Sequence, residues 1–152
     1  MDPKSGVRSA LTVTLVALVA GCAAIPRAPQ ERDAAVKTFT PTPGKANLYV
    51  FRDEAAGAPK PLTVRLDGKL LGNTQGKTFL FAQVDPGQHR LVSEGENDAA
   101  LAFTAEDGKN VFVWQEVKRG LLRARSSLAL VDEARGREGV AACALVLPVS
   151  LE

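Results

Sequence analysis

One histidine, His89, two cysteines, Cys22 and Cys143, and one tryptophan, Trp114, are the chemically distinctive residues of this 152-residue chain. A single imidazole cannot build a His-based metal cluster, and a Ser-His-Asp arrangement would need that one ring to meet both a serine and a carboxylate. No Gly-x-Ser-x-Gly or His-Glu-x-x-His occurs. His89 follows the turn residues Asp85, Pro86 and Gly87 and is expected to pack beside that turn. Gly76, Lys77 and Thr78 imitate the end of a phosphate-binding loop, but the first glycine of that motif would fall where Leu71 stands, so the segment reads as a turn. Glu94, Glu96, Asn97 and Asp98 around Gly95 offer oxygens to calcium, yet their spacing is not that of an EF-hand and a solvated loop is the simpler reading. Lys118, Arg119, Arg123 and Arg125 gather around Gly120 at a hairpin end, a basic knot suited to lipid phosphates or acidic glycans, or simply to water beside Glu116. Trp114 would be a sugar-stacking platform if exposed; its strand context favours a core position beside Phe112.

Cys22 carries the most specific signal. Lys4 and Arg8 precede an apolar run at 10–20, which is too short to span a hydrocarbon core that requires about 20 helical residues. Val19, Ala20, Gly21 and Cys22 resemble the lipobox of bacterial lipoproteins. The resemblance implies cleavage between Gly21 and Cys22 and acylation of the cysteine, including palmitate, rather than a buried N-terminal helix. Several acyl chains, at about 0.8 kcal/mol per buried methylene, give stable membrane attachment. Ala23 after the cysteine implies, by the same resemblance, the outer membrane, facing the periplasm. Cys143 would then be the lone thiol, expected buried among Ala141, Ala142, Ala144 and Leu145.

Composition bounds the remainder. Hydrophobic residues are 45% and charged residues 24%, with a net charge of +2, which argues against disorder. The 19 Lys and Arg are interleaved with 17 Asp and Glu, so no concentrated basic face recommends nucleic acid. Residues 1–21 read as a signal peptide and 22–45 as a lipidated flexible linker punctuated by Pro26, Pro29, Pro41, Pro43 and Gly44, with one or two helical turns allowed at 31–39. At ~3.3 Å per residue such a linker reaches at most about 70 Å.

Residues 46–152 read as an all-β domain, a small antiparallel β-sandwich of about seven strands at 46–52, 62–67, 78–84, 89–93, 99–104, 110–117 and 125–131. A closed barrel is the alternative. Asp67-Gly68, Asp107-Gly108 and Pro86-Gly87 supply the turn geometry. Aromatic residues occur two apart, Tyr49 with Phe51, Phe79 with Phe81, and Phe112 with Trp114, so each pair lies on one face of its strand. The alternate positions carry Leu48, Val50, Leu80, Ala82, Val111 and Val113. Both faces are therefore apolar, and something must cover the second. The natural cover is a short C-terminal helix capped by Asp132 with Glu133 and Arg137 paired four apart, although Gly136 and Gly139 each weaken it by about 1 kcal/mol.

The stretch VRLDGKLLGNT at 64–74, followed by VDPGQHRL at 84–91, resembles the signature of PEGA-like β-sandwich modules. LYVFRD at 48–53, the strand after Gly108-Lys109, and LVDEARG at 130–136 resemble a bacterial lipoprotein family known only as a domain of unknown function. The resemblance implies a sandwich on a lipid anchor in contact with envelope glycan or protein, and transfers no catalytic residue. The expectation is a non-catalytic envelope lipoprotein that binds a partner protein or glycan, without cofactor or metal. Trp114, Lys118, Arg119, Arg123 and Arg125 are its candidate binding residues. An envelope hydrolase or transferase with an unrecognised site is the alternative.

Overall fold

The computed structural model of the chain describes residues 25–55, 60–122 and 124–148. The expected signal peptide, its cleavage site at Gly21 and Cys22, and Arg123 lie outside the described residues. The elements in chain order are α1 (Gln30–Val36), β1 (Ala46–Arg52), β2 (Leu62–Leu66), β3 (Lys69–Thr74), β4 (Thr78–Val84), β5 (Gly87–Ser93), β6 (Ala99–Ala105), β7 (Asn110–Arg119), β8 (Ala124–Val131), α2 (Glu133–Ala141) and β9 (Ala144–Leu145). Two sheets form a sandwich, one in the order β8-β7-β1-β4-β9 and the other β3-β2-β5-β6.

The second sheet is antiparallel throughout, but the first is mixed: β1 runs parallel to β7, and β4 parallel to β9. The small, mainly antiparallel β-sandwich expected from the sequence is what forms, with these two parallel pairings added in the first sheet. Parallel neighbours need long connections, and the chain provides them, since the whole second sheet intervenes between β1 and β7. β3, which was not expected as a strand, pairs with β2 from Leu62↔Thr74 to Leu66↔Lys69 across the Asp67-Gly68 turn. In the structure a Cβ on Gly72 would fall 2.6 Å from Cδ2 of Leu80, so glycine is needed for the sheets to close at this edge.

Alternation sorts the core as the sequence implies. β1 is buried along its whole length. Leu48, Val50, Leu80, Val111 and Val113 face the second sheet and meet Val64, Leu91 and Phe103. Tyr49, Phe51, Phe79 and Phe112 face the other way, where α2 covers them. Asp132 caps α2 by accepting the Arg135 N–H at 2.9 Å, and Arg137 Nε donates to Glu133 at 2.9 Å. Its glycines have a purpose that helix propensity does not show. A Cβ at Gly136 would lie 2.1 Å from Cγ of Phe112, and one at Gly139 2.1 Å from Cε2 of Phe51, so only bare backbone lets the helix lie on the rings.

Residues 25–45 differ most from expectation. They are no free tether but a strap over the aromatic face and the β9 edge. Arg27 bridges Val146, and the Ala28 N–H donates to the Leu145 carbonyl at 2.8 Å. Asp33 accepts the Leu145 N–H at 2.7 Å, and Lys37 Nζ donates to the Cys143 carbonyl at 2.7 Å. Phe39 places its ring 5.3 Å from Tyr49 and 5.8 Å from Phe112, while the Tyr49 hydroxyl donates to the Val36 carbonyl at 3.0 Å. Burial pushes that hydroxyl up to about 12, against the lowering pull of Asn47 and Arg137. The strap escaped the sequence reading because single residues anchor it, with no repeating apolar period.

Candidate functional site

The basic knot lies at one end of the sandwich, on a hairpin that outruns its sheet. Pairing of β7 with β1 ends at Phe51↔Trp114, whereas pairing with β8 continues to Arg119↔Ala124. The last turns of the hairpin therefore project past β1, and the tip residues Leu121 and Leu122 are 88% and 89% exposed. Lys118 and Arg125 stand opposite each other across the hairpin. Lys118 pairs with Glu116 at 3.1 Å and Arg125 with Glu96 at 3.2 Å.

The 94–98 loop is not merely solvated; it holds the base of this hairpin. The Glu96 N–H donates to the Ala124 carbonyl at 2.9 Å, Glu96 Oε2 accepts the Leu122 N–H at 3.0 Å, and Asn97 Nδ2 donates to the Ser126 carbonyl at 3.3 Å. Gly95 permits this approach, since a Cβ there would sit 2.8 Å from the Ala124 carbonyl oxygen. Between loop, hairpin tip and the start of β2 opens a cleft of about 480 Å³ lined by Lys60, Leu62, Thr63, Glu94, Leu121 and Leu122, among others. One register step inward, a buried polar ladder ties the sheets together. Thr74 Oγ1 donates to Gln115 Oε1 at 2.6 Å, Gln115 Nε2 donates to Ser93 Oγ at 2.7 Å, and Ser126 Oγ lies 2.8 Å from Ser93 Oγ. Arg52, fully buried, donates to the Thr74 carbonyl at 3.2 Å and pairs with Glu54. Because each of these side chains has a partner, the ladder fixes the strand ends under the cleft.

Trp114 is separate from the cleft. It is half-buried on the same face as Phe112, in a strand one place from the sheet edge, so full burial in a central strand is not what the structure has. Its Nε1–H donates to Asp53 Oδ1 at 3.0 Å, and Asp53 Oδ2 accepts from Arg135 Nη2 at 2.6 Å. The Arg135 guanidinium lies 5.6 Å from the Trp114 ring centroid and 5.1 Å from that of Phe51. The ring already carries a cation, an arrangement that fastens α2 to the sheet.

The other chemically suggestive residues are structural in their contacts. His89 Nδ1 and Nε2 lie 2.7 Å from Asp67 Oδ2 and from the Asp85 carbonyl, and the ring stacks on Phe103 at 5.5 Å. Lys77 (φ +62°) turns the chain directly into β4, a strand and not the helix a phosphate loop requires. Cys143 is buried with Sγ 3.5 Å from the Arg52 carbonyl oxygen, and burial pushes its thiol up to about 11. Among the described residues no three His, Cys, Asp or Glu side chains are grouped to hold a metal ion. No described helix is long and apolar enough to cross a membrane.

Sequence reasoning found the hairpin from its charges and missed the leucines between them. Adjacent apolar residues between arginines carry a signal of their own, because in a turn neither can be buried by strand alternation.

Residues 42–127 match the family model described as protein of unknown function (DUF2846), and the chain belongs to that family. The match runs from just before β1 into β8 and so includes the cleft and the hairpin tip. An uncharacterized protein of Haemophilus influenzae is similar to this chain, 29% identical over 125 residues that make up 81% of this chain and 74% of that protein.

Proposed function

We propose that this family member is a non-catalytic, lipid-anchored envelope protein. It is held in the outer membrane, facing the periplasm, by acylated Cys22, and it binds an envelope protein or glycan at the hairpin end of its sandwich. The lipobox-like sequence ending at Cys22 supports the anchor. The observation that carries the binding reading is the open cleft between β2, the 94–98 loop and the β7–β8 tip. It is the place where projecting backbone, exposed leucines and basic side chains converge. Loops positioned by a rigid sandwich are where binding residues concentrate, and the ladder of Thr74, Gln115, Ser93 and Ser126 supplies that rigidity.

The test has two parts. Mass spectrometry of the membrane fraction is expected to find Cys22 as the first residue, carrying acyl chains; an unmodified Cys22 there would refute the anchor. A photocrosslinker placed at Thr63 in living cells is expected to capture a discrete envelope species that the same probe at Lys109 does not. Equal capture from both positions would refute the cleft as the binding site.

A further inference from the structure

The strap changes what a lipid at Cys22 would do. A 22–45 linker would let the domain range tens of ångströms from the bilayer. Here the fold is engaged from Ile25 onward: the Ile25 N–H donates to Gln75 Oε1 at 3.4 Å, its side chain packs on the inner core, and Arg27 bridges Val146. Three residue steps lead from Cys22 to Ile25, a reach of at most about 11 Å. A folded domain of this size has a radius of gyration of about 14 Å. Its surface therefore stays within roughly one domain diameter of the headgroups, and even a weak attraction of that surface for lipid acts at high effective concentration.

We infer that the β7–β8 hairpin tip is a second membrane contact, with Leu121 and Leu122 entering the headgroup layer of an anionic leaflet and the flanking basic residues meeting its phosphates. This rests on the lipid-anchor reading above. The occupant follows from shape and charge. Two adjacent leucines at 88% and 89% exposure stand at the tip of the hairpin, past its last paired residues Arg119 and Ala124. The segment 118–125 holds Lys118, Arg119, Arg123 and Arg125 and no acidic residue. Lys118 pairs with Glu116 and Arg125 with Glu96, and with both glutamates counted the segment keeps a net charge of +2 by sequence, a basic excess suited to anionic lipid. The two leucines of the tip supply by themselves far less than the roughly 800 Å² that a protein interface buries on each side, so the protein or glycan partner is left to the cleft beside them, lined also by Lys60, Thr63 and Glu94, while a fluid bilayer closes around the tip.

The experiment uses the mature protein purified from membranes, with Leu122→Cys carrying an environment-sensitive fluorophore. It is reconstituted in phosphatidylethanolamine vesicles with and without phosphatidylglycerol, and doxyl lipids serve as quenchers. Lys109→Cys, exposed at the opposite end of β7, is the reference. The expected result is a blue shift and at least threefold stronger shallow-doxyl quenching at 122 than at 109, increasing with phosphatidylglycerol. Equal quenching at the two positions overturns the inference. So does a blue shift that grows with protein density and is insensitive to doxyl lipid, which would make a second copy the occupant. Failure of the anchor reading is told apart by stoichiometry, because a free Cys22 would take up a second label, while Cys143 is buried.

Discussion

The two ends of the sandwich are built differently. At the end where Asp67, Asp85 and Asp107 turn the chain, every connection is short and tied to its neighbour. Asp67 Oδ1 accepts the Arg90 N–H at 2.8 Å, Asp107 Oδ1 accepts the Gly44 N–H at 2.8 Å, Lys45 pairs with Asp85 at 2.6 Å, and His89 joins two turns. At the other end a hairpin projects, two leucines stand in solvent and a cleft opens. Contacts between segments far apart in the chain hold both ends, but at the first they tie turn to turn, Gly44 to Asp107 and Lys45 to Asp85, whereas at the second Glu96 holds only the base of the hairpin, through Leu122 and Arg125, and Thr74 reaches Gln115 beneath it. The closed end preserves the register of the sheets, and the open end is free to meet something outside the molecule.

The largest effect is expected where the open end depends on buried polar order. Gln115→Ala opens a cavity and leaves Thr74 and Ser93 short of a partner, so it should cost about 2–5 kcal/mol in denaturant unfolding of the purified protein. A cost below about 1 kcal/mol would show that the ladder does not support this end. Gly95→Val comes next. Its side chain must displace the Ala124 carbonyl, a strain of about 1–3 kcal/mol, and a hydrogen-exchange measurement should show the Glu96 and Leu122 amides losing protection while those of β1 keep theirs. Loss of protection spread evenly over both ends would erase the distinction between them.

The same contrast explains what was legible in the sequence. Strand alternation at Tyr49, Phe51, Phe112 and Trp114 and the turns at Asp67-Gly68 and Pro86-Gly87 are encoded within a few residues of one another, so the central strands and the closed end could be read. The Asp67-Gly68 turn itself demanded a strand after it, which would have located β3 despite Gly72. The open end was readable only as a charge cluster, since nothing near Glu96 announces a partner some 26 residues later. Gly136 and Gly139 show the limit of propensity: as helix residues they are weak, as contact surface they are required. The docked strap was hidden for a related reason, because Phe39 and Val36 are lone anchors in a polar, proline-rich run.

At the closed end a smaller, pH-dependent effect is expected. Burial works against a charge on His89, but hydrogen bonds to Asp67 and the Asp85 carbonyl and the nearby carboxylates outweigh it and raise the ring above its ordinary value. The His89 hydrogen bond holds Asp67 below the ordinary carboxylate range. A raised histidine contributes stability that is full below about pH 6.5 and is lost as pH rises through its folded value; a depressed aspartate contributes stability that is lost as pH falls below about 4. The latch is therefore strongest between those limits. Such partly exposed pairs contribute about 0–1 kcal/mol, so the melting temperature should fall slightly from pH 6 to pH 8.5 in the native protein and less in His89→Gln. An identical pH profile in the two proteins would remove the latch from the account of this end.

The smallest effect on stability is expected at the most exposed residues. Leu121→Asp combined with Leu122→Asp removes two apolar side chains that bury almost nothing, so the burial they forfeit on folding is close to zero. Substitutions at such surface positions typically stay within about 0.5 kcal/mol. Added carboxylates beside Lys118 and Arg125 even relieve some like-charge repulsion across the hairpin. The double variant should melt with the native protein, in contrast to Gln115→Ala a few residues away, while its hairpin loses the affinity for anionic vesicles inferred for the native tip. A melting temperature lowered by several degrees would mean that the leucines are packed in the folded protein, and the open end would then be as closed as the other.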